Sequence, residues 1–291
     1  MNSKPVKLLI KLLLTAVAVF LVLSKIDSQT TWKVISGADW SWLGLAFVFF
    51  VASKIFCAFR LNGYFRDIGV YMPEWQNIKL YAIGMFYNLF LPGGIGGDGY
   101  KVYLLKRRFQ TPVKQLLQAV VLDRGNGLAV LVFLLFALMA VVEVEWPFPL
   151  SQSLVGSLGM VLVTVGLYLT MILFFKAFMG SIVSTTVYSA LNQILQLFSA
   201  FFILRSLGIQ DRETTYLLVF LISSIVSVLP LTIGGVGARE LVFVYAHGYV
   251  GIDKNAAVAF SVVFFVIAAI TSLSGIFFKF DREVSIREEG N

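Results

Sequence analysis

Six apolar runs, at residues 6–23, 42–59, 115–142, 154–175, 182–204 and 256–278, are each long enough to cross a bilayer, and that length restricts the chain to very few folds. A span needs roughly 20 apolar residues. Inside hydrocarbon every backbone N–H and C=O must find its partner within the protein, so runs of this length fold as helices. The 291 residues are 58% hydrophobic and only 13% charged, which excludes a water-soluble globular domain. The fold expected is an all-α polytopic membrane protein. Trp32, Trp40, Trp42 and Trp146 lie near segment ends, where an interfacial aromatic belt belongs. Although Lys4 and Lys7 precede the first run, no small-residue cleavage site follows it, so it reads as a retained helix rather than a signal peptide.

Two further apolar segments are interrupted in the same way. LPGGIGGDGYK runs from Leu91 to Lys101 and LPLTIGGVGAR from Leu229 to Arg239, 138 positions on. The likeness extends upstream, where Arg66, Gly69 and Val70 match Arg205, Gly208 and Ile209. Pro92 and Pro230 lack an amide donor and disrupt a preceding helix. Gly93, Gly94, Gly96, Gly97 and Gly99, with Gly234, Gly235 and Gly237 in the second copy, permit unusual backbone angles and close approach. Broken backbone at membrane depth is tolerated only where protein or a cavity protects it, and a duplicated broken helix is a transporter's device.

Loop charge sets an expected topology. Lys4, Lys7 and Lys11 place the N-terminus in the cytoplasm, and cations flank the first motif on both sides: Arg60 and Arg66 before it, Lys106, Arg107, Arg108 and Lys114 after it. Segment 78–97 is therefore expected to enter from the cytoplasm and return, and segment 214–250 to enter from outside. The chain then divides into an N-terminal helix and outer loop (1–41), a first repeat (42–142), a connecting span (143–181), an inverted second repeat (182–278) and a tail (279–291) that is also cytoplasmic.

Ionisable residues in such segments are costly and hence candidates for function. Lys101 and Arg239 occupy matching positions just after the breaks. Two readings stand for them: headgroup binding beside the positive ends of half-helices, or snorkelling to the interface. Asp98 reads as a helix N-cap, because the second copy has Val236 there. Glu240 reads as a coupling site or as half of an ion pair. Asp123 and Arg124 diverge by about 100° on one helix, so Arg124 can face a headgroup cavity while Asp123 bonds another helix. Thr185, Ser189, Asn192, Gln196 and Ser199 form one polar stripe, which either lines a hydrated path or joins helices.

Several function classes find no support. One cysteine, Cys57, and one histidine, His247, leave no basis for a disulfide or a multi-histidine metal site. No catalytic triad, zinc or nucleotide-binding motif is present, so no cofactor is expected and any energy coupling comes from an ion gradient or lipid mass action. The net charge of +7 fits cytoplasmic loops and anionic lipid rather than nucleic acid.

LPGGIGGDGYKVYLLKRR, the DRGNG beginning at Asp123, and LPLTIGGVGARE together resemble the flippase-like, or lysylphosphatidylglycerol synthase transmembrane-region, family, related to the membrane half of the bacterial multiple peptide resistance factor. The resemblance covers essentially the whole chain, except that Leu231 and Thr232 replace the family's more usual Pro-Gly-Gly. It implies a lipid translocase of the bacterial cytoplasmic membrane, a transporter more than an enzyme. With no synthase domain before Asn291, it would move an anionic or modified phospholipid, a glycolipid or a polyprenyl-phosphate lipid without making it. The alternatives are an intramembrane transferase with Asp98, Asp123 or Glu240 as base, and a subunit presenting lipid to a separate enzyme. Oligomeric state is left open.

Overall fold

A computed structural model describes residue 33 and residues 36–90, 96–142, 149–228 and 238–280. Among these there are only helices: α1 (Trp40–Asp67), α2 (Glu74–Phe90), α3 (Gly96–Phe109), α4 (Val113–Val141), α5 (Gln152–Phe174), α6 (Ile182–Ser206), α7 (Glu213–Val228), α8 (Ala238–Val250) and α9 (Lys254–Leu273). Short 3-10 turns at Lys176–Ser181 and Ser274–Phe277 lead into α6 and extend α9. Five segments are long and apolar enough to cross a membrane: Trp40–Asp67, Val113–Val141, Gln152–Phe174, Lys176–Ser206 and Asn255–Phe277. The chain is an all-α polytopic membrane protein. The expected first span, 6–23, lies outside the described residues, as do Pro92, Gly93, Gly94, Pro230, Gly234, Gly235, Gly237 and the side chain of Glu240.

The other four helices are short. At 1.5 Å per residue, the 14 residues of α3 reach about 21 Å and the 17 of α2 about 25 Å, less than the ~30 Å hydrocarbon core. They come in consecutive pairs, α2 with α3 and α7 with α8, and each pair packs face to face. The breaks between the partners coincide with the two Pro/Gly motifs.

Two of the helices end in the same way. α1 stops at Gly69 (φ 76°) and α6 at Gly208 (φ 71°), a left-handed conformation that glycine adopts without a Cβ penalty. The same bonds close both ends: Gly69 N–H to the Arg66 carbonyl (3.0 Å) and Val70 N–H to that of Phe65 (2.9 Å), then Gly208 N–H to Arg205 (3.1 Å) and Ile209 N–H to Leu204 (2.9 Å). An ion pair next ties each end to the following helix, Arg66 to Glu74 and Arg205 to Glu213 at 3.0 Å.

α1 and α6 run antiparallel along their length. The Asp39 N–H at the start of α1 donates to the Ser206 carbonyl at the end of α6 (3.0 Å). At the other end the Ser181 hydroxyl donates to Asp67 (2.5 Å). Between them Trp42, Phe49, Phe56 and Phe59 meet Phe202, Phe198 and Tyr188 ring to ring, and the Ser199 hydroxyl donates to the Ala46 carbonyl at 2.8 Å. With lipid as solvent, such packing and interhelical hydrogen bonds, not expulsion from water, hold helices together.

Two buried clusters form the core. One, around Tyr64, Phe65, Leu80, Leu105, Leu116 and Phe178, joins α1 to α2, α3 and α4. The other, around Phe50, Phe220, Phe243, Phe260 and Phe264, joins α1 to α7, α8 and α9. Apart from Met171, which joins the first cluster, α5 packs outside both. Its packing is on α4, where Gly156 and Gly159 admit Ala140 and Phe136 so closely that a Cβ would lie 2.7 and 2.4 Å from them. Leu158, Val161, Leu162, Leu169, Leu173 and Phe174 remain exposed, as on a helix facing lipid.

Candidate functional site

The site begins where α2 and α3 cross. A Cβ on Gly97 would lie 1.9 Å from the Gly84 carbonyl oxygen, and one on Gly84 would lie 2.1 Å from Lys101 Cε, so the crossing depends on Gly97 lacking a side chain and the seat of Lys101 on Gly84 lacking one. The Asn88 carboxamide reaches back from α2 and accepts the Gly97 N–H (2.8 Å), satisfying one of the donors that a helix start leaves free.

This crossing directs the first turn of α3 inward. Asp98 lies inside that turn and its carboxylate receives two cations: Lys101 Nζ on one oxygen at 3.0 Å and Arg124 Nε, from α4, on the other at 2.5 Å. The expected N-cap role is thus replaced by an ion triad, since the side chain is aimed at α4 rather than at its own backbone. Lys101 runs over the space left by Gly84 and its ammonium lies 4.5 Å from the centre of the Tyr81 ring, a cation–π contact.

A second ion pair lies beside the first. Arg60 Nε of α1 donates to Asp123 Oδ1 of α4 at 2.7 Å, and its Nη1 donates to Ser189 Oγ of α6 at 3.0 Å. Gly127 lets the guanidinium lie against α4, for a Cβ there would be 2.8 Å from Arg60 Nη1. The divergence of Asp123 and Arg124 is realised as two partners on opposite sides of α4, α1 for the one and α3 for the other.

Together these groups line a cavity of about 180 Å³, completed by Asn88, Asn192, Gln193 and by Val228 at the end of α7. Its charged lining is Arg60, Lys101 and Arg124 against Asp98 and Asp123, a formal surplus of one positive charge. Most of these ions are deeply buried, but the Arg124 side chain is 33% exposed. An ion network in a low-dielectric setting is held only while its charges are paired. An anion that enters can replace the carboxylate as the partner of Arg124, and the bidentate guanidinium suits a phosphate.

Arg239 has different surroundings. It lies in the first turn of α8 and donates to Ser224 (3.3 Å) and Ser227 (3.2 Å) of α7, while its guanidinium lies 4.6 Å from the Phe264 ring centre and 5.4 Å from that of Phe220. It does not appear among the described residues lining the cavity of Lys101, so each hairpin carries its own cation.

The polar stripe of α6 divides along its length. Ser189 and Asn192 serve the cavity, with Gln196 donating to Asn192 (2.9 Å), whereas Thr185 bonds the Ser181 carbonyl of its own helix start (2.8 Å) and Ser199 joins α6 to α1. Gln193, outside the stripe, donates to the Gly127 carbonyl at 3.0 Å. Sequence reasoning assigned Arg60 to a loop; α1 in fact continues past it to Asp67. The available signal was an arginine flanked by Phe59 and Leu61 with no turn residue near it.

The class defined by fold and site is a polytopic helical membrane protein in which short paired helices pack among the spans and the first pair borders a buried, charge-rich cavity. The chain belongs to the family of the lysylphosphatidylglycerol synthase transmembrane region, whose profile matches residues 8–186 and 177–275, and it is thereby a lipid-related membrane protein. Among curated proteins no match to the chain was found.

Proposed function

We propose that the protein is a lipid translocase that carries an anionic or modified phospholipid, a glycolipid or a polyprenyl-phosphate lipid between leaflets. The observation that carries this reading is the cavity at the α2/α3 crossing, where Arg124 and Lys101 share the single carboxylate of Asp98. A lipid phosphate entering beside Arg124 takes over its donors, and Asp98 stays with Lys101. Antiparallel α1 and α6 open two units of the same element order, so the second unit presents Arg239 toward the other leaflet. Rocking of the units exposes the headgroup to each side in turn while the acyl chains stay in lipid. The exposed cations near the end of α3, Lys106 and Arg107, support a cytoplasmic side for that end by the positive-inside rule.

The test is movement of a labelled anionic phospholipid in proteoliposomes. Arg124→Ala is expected to slow it about tenfold or more, the effect of losing one charge-assisted contact, while a neutral diacylglycerol moves equally in both proteins. Equal rates for the anionic lipid in parent and variant would remove the assigned site.

A further inference from the structure

A second feature lies on the opposite side of α1 from Arg60. Phe47 and Val51 of α1, with Ile270, Thr271, Leu273, Ser274, Ile276 and Phe277 at the end of α9, line a groove of about 670 Å³. Its lining is apolar: the Thr271 hydroxyl is spent on the Ile267 carbonyl and that of Ser274 on the Thr271 carbonyl. The volume falls within the roughly 300–1,000 Å³ typical of ligand pockets. A groove of this kind, opening to the lipid side of a membrane helix, accepts a hydrocarbon chain.

The residue that makes it more than a gap is Lys54. It follows Val51 by three positions and Phe47 by seven, so it continues the groove-facing stripe of α1, and it lies at the midpoint of a 28-residue span, where a cation is most costly. Its ammonium rests 4.4 Å from the centre of the Phe50 ring. Among the described residues no carboxylate pairs with it; the side chains whose charge reaches it are Cys57, Arg60 and Arg239, the last two positive. The Phe50 ring in turn packs on Phe264 (5.3 Å between centres), the ring that Arg239 covers. A half-buried lysine near two arginines, at mid-membrane and beside an apolar groove, has no carboxylate partner among the described residues.

We infer that the α1/α9 groove holds an acyl chain of a phospholipid whose phosphate is bound by Lys54. This deepens the translocase reading and rests on it: Lys54 stands between the cavity of the first hairpin and Arg239 of the second, and gives a headgroup in transit a cation at mid-depth. A purely apolar occupant, such as segment 6–23 of the chain or a second copy's helix, would fill the groove and leave Lys54 without a partner. The phospholipid supplies both halves.

The full chain in phosphatidylethanolamine–phosphatidylglycerol vesicles tests this with two photoreactive probes of identical chains, a diacylglycerol phosphate and the diacylglycerol. Adducts are mapped by peptide mass spectrometry and referred to those on α5, which reports plain lipid contact. The phosphate probe is expected to label the peptides around Val51 and Ile270–Phe277 several-fold above α5, with the diacylglycerol near the α5 level. Lys54→Gln should lower the groove signal about tenfold, Lys54→Arg should keep it, and Val51→Trp should abolish it by filling the groove. Equal labelling by both probes, an unchanged Lys54→Gln, or cross-links from the groove to residues 6–23 would overturn the inference. If Arg124→Ala still stops translocation in that case, the translocase reading survives and the groove alone fails. A groove that labels as expected while Arg124→Ala moves lipid normally keeps the Lys54 site and removes the cavity from the transport path.

Discussion

At the scale of single residues, the Arg60–Asp123 pair is the most consequential contact in the protein, because both partners are almost wholly buried, with side chains 5% and 7% exposed. Breaking such a pair from one side leaves an uncompensated charge and costs about 3–5 kcal/mol, whereas replacing both partners with apolar groups is often close to neutral. Asp123→Asn is therefore expected to lower the detergent melting temperature sharply, and Arg60→Met combined with Asp123→Leu to recover most of the loss. A double variant as unstable as the single one would show that Arg60 is held by Ser189 and the Gly127 surface instead. The pair also shows where sequence reading stops. Asp123 and Arg124 stand out as charges in an apolar run, but their partners lie 63 and 26 positions away, and no local pattern encodes a pairing made by helix crossing. Lys54 escaped notice because a single cation inside a hydrophobic stretch barely lowers the mean hydropathy of that stretch.

Helix boundaries were more legible than partners. The expected spans 115–142, 154–175 and 182–204 compare with α4 at Val113–Val141, α5 at Gln152–Phe174 and α6 at Ile182–Ser206, because length and hydropathy alone determine them. The expected 42–59 falls eight residues short of α1 at its C-terminal end: Arg60, Asn62 and Asp67 read as loop, yet Arg60 is paired, Asn62 donates to the Met72 carbonyl at 3.2 Å, and Asp67 accepts from Ser181. The α2/α3 element offers its own test through its two glycines. Gly97→Ala sets a Cβ against backbone, which cannot move without separating the helices, and should cost about 1–3 kcal/mol or more. Gly84→Ala meets only the flexible Lys101 side chain, so it should fold normally and lose translocation by displacing Lys101 from Asp98. Wild-type melting of Gly97→Ala would contradict the close α2/α3 crossing, and wild-type transport by Gly84→Ala would separate Lys101 from function.

For the molecule as a whole, the proposed inverted arrangement sets the ends of α3 and α8 on opposite faces of the membrane. Cys57 is buried, and its replacement by Ser gives a background in which single cysteines report sidedness. In intact cells a membrane-impermeant maleimide should label Tyr249→Cys, at the exposed end of α8, but reach Arg107→Cys only after permeabilisation. Labelling of both from the same side would reverse one hairpin and end the inverted arrangement. In the proposed arrangement the deciding element is α5, the helix that fastens to α4 through two glycines. Its contribution is parity. One extra crossing between two copies of a unit turns the second upside down, so a duplicated gene lacking this segment would set both hairpins on one leaflet, with two places to collect a lipid and none to release it. In the proposed arrangement this lipid-facing helix is thus the one that would give the duplication its two-sidedness.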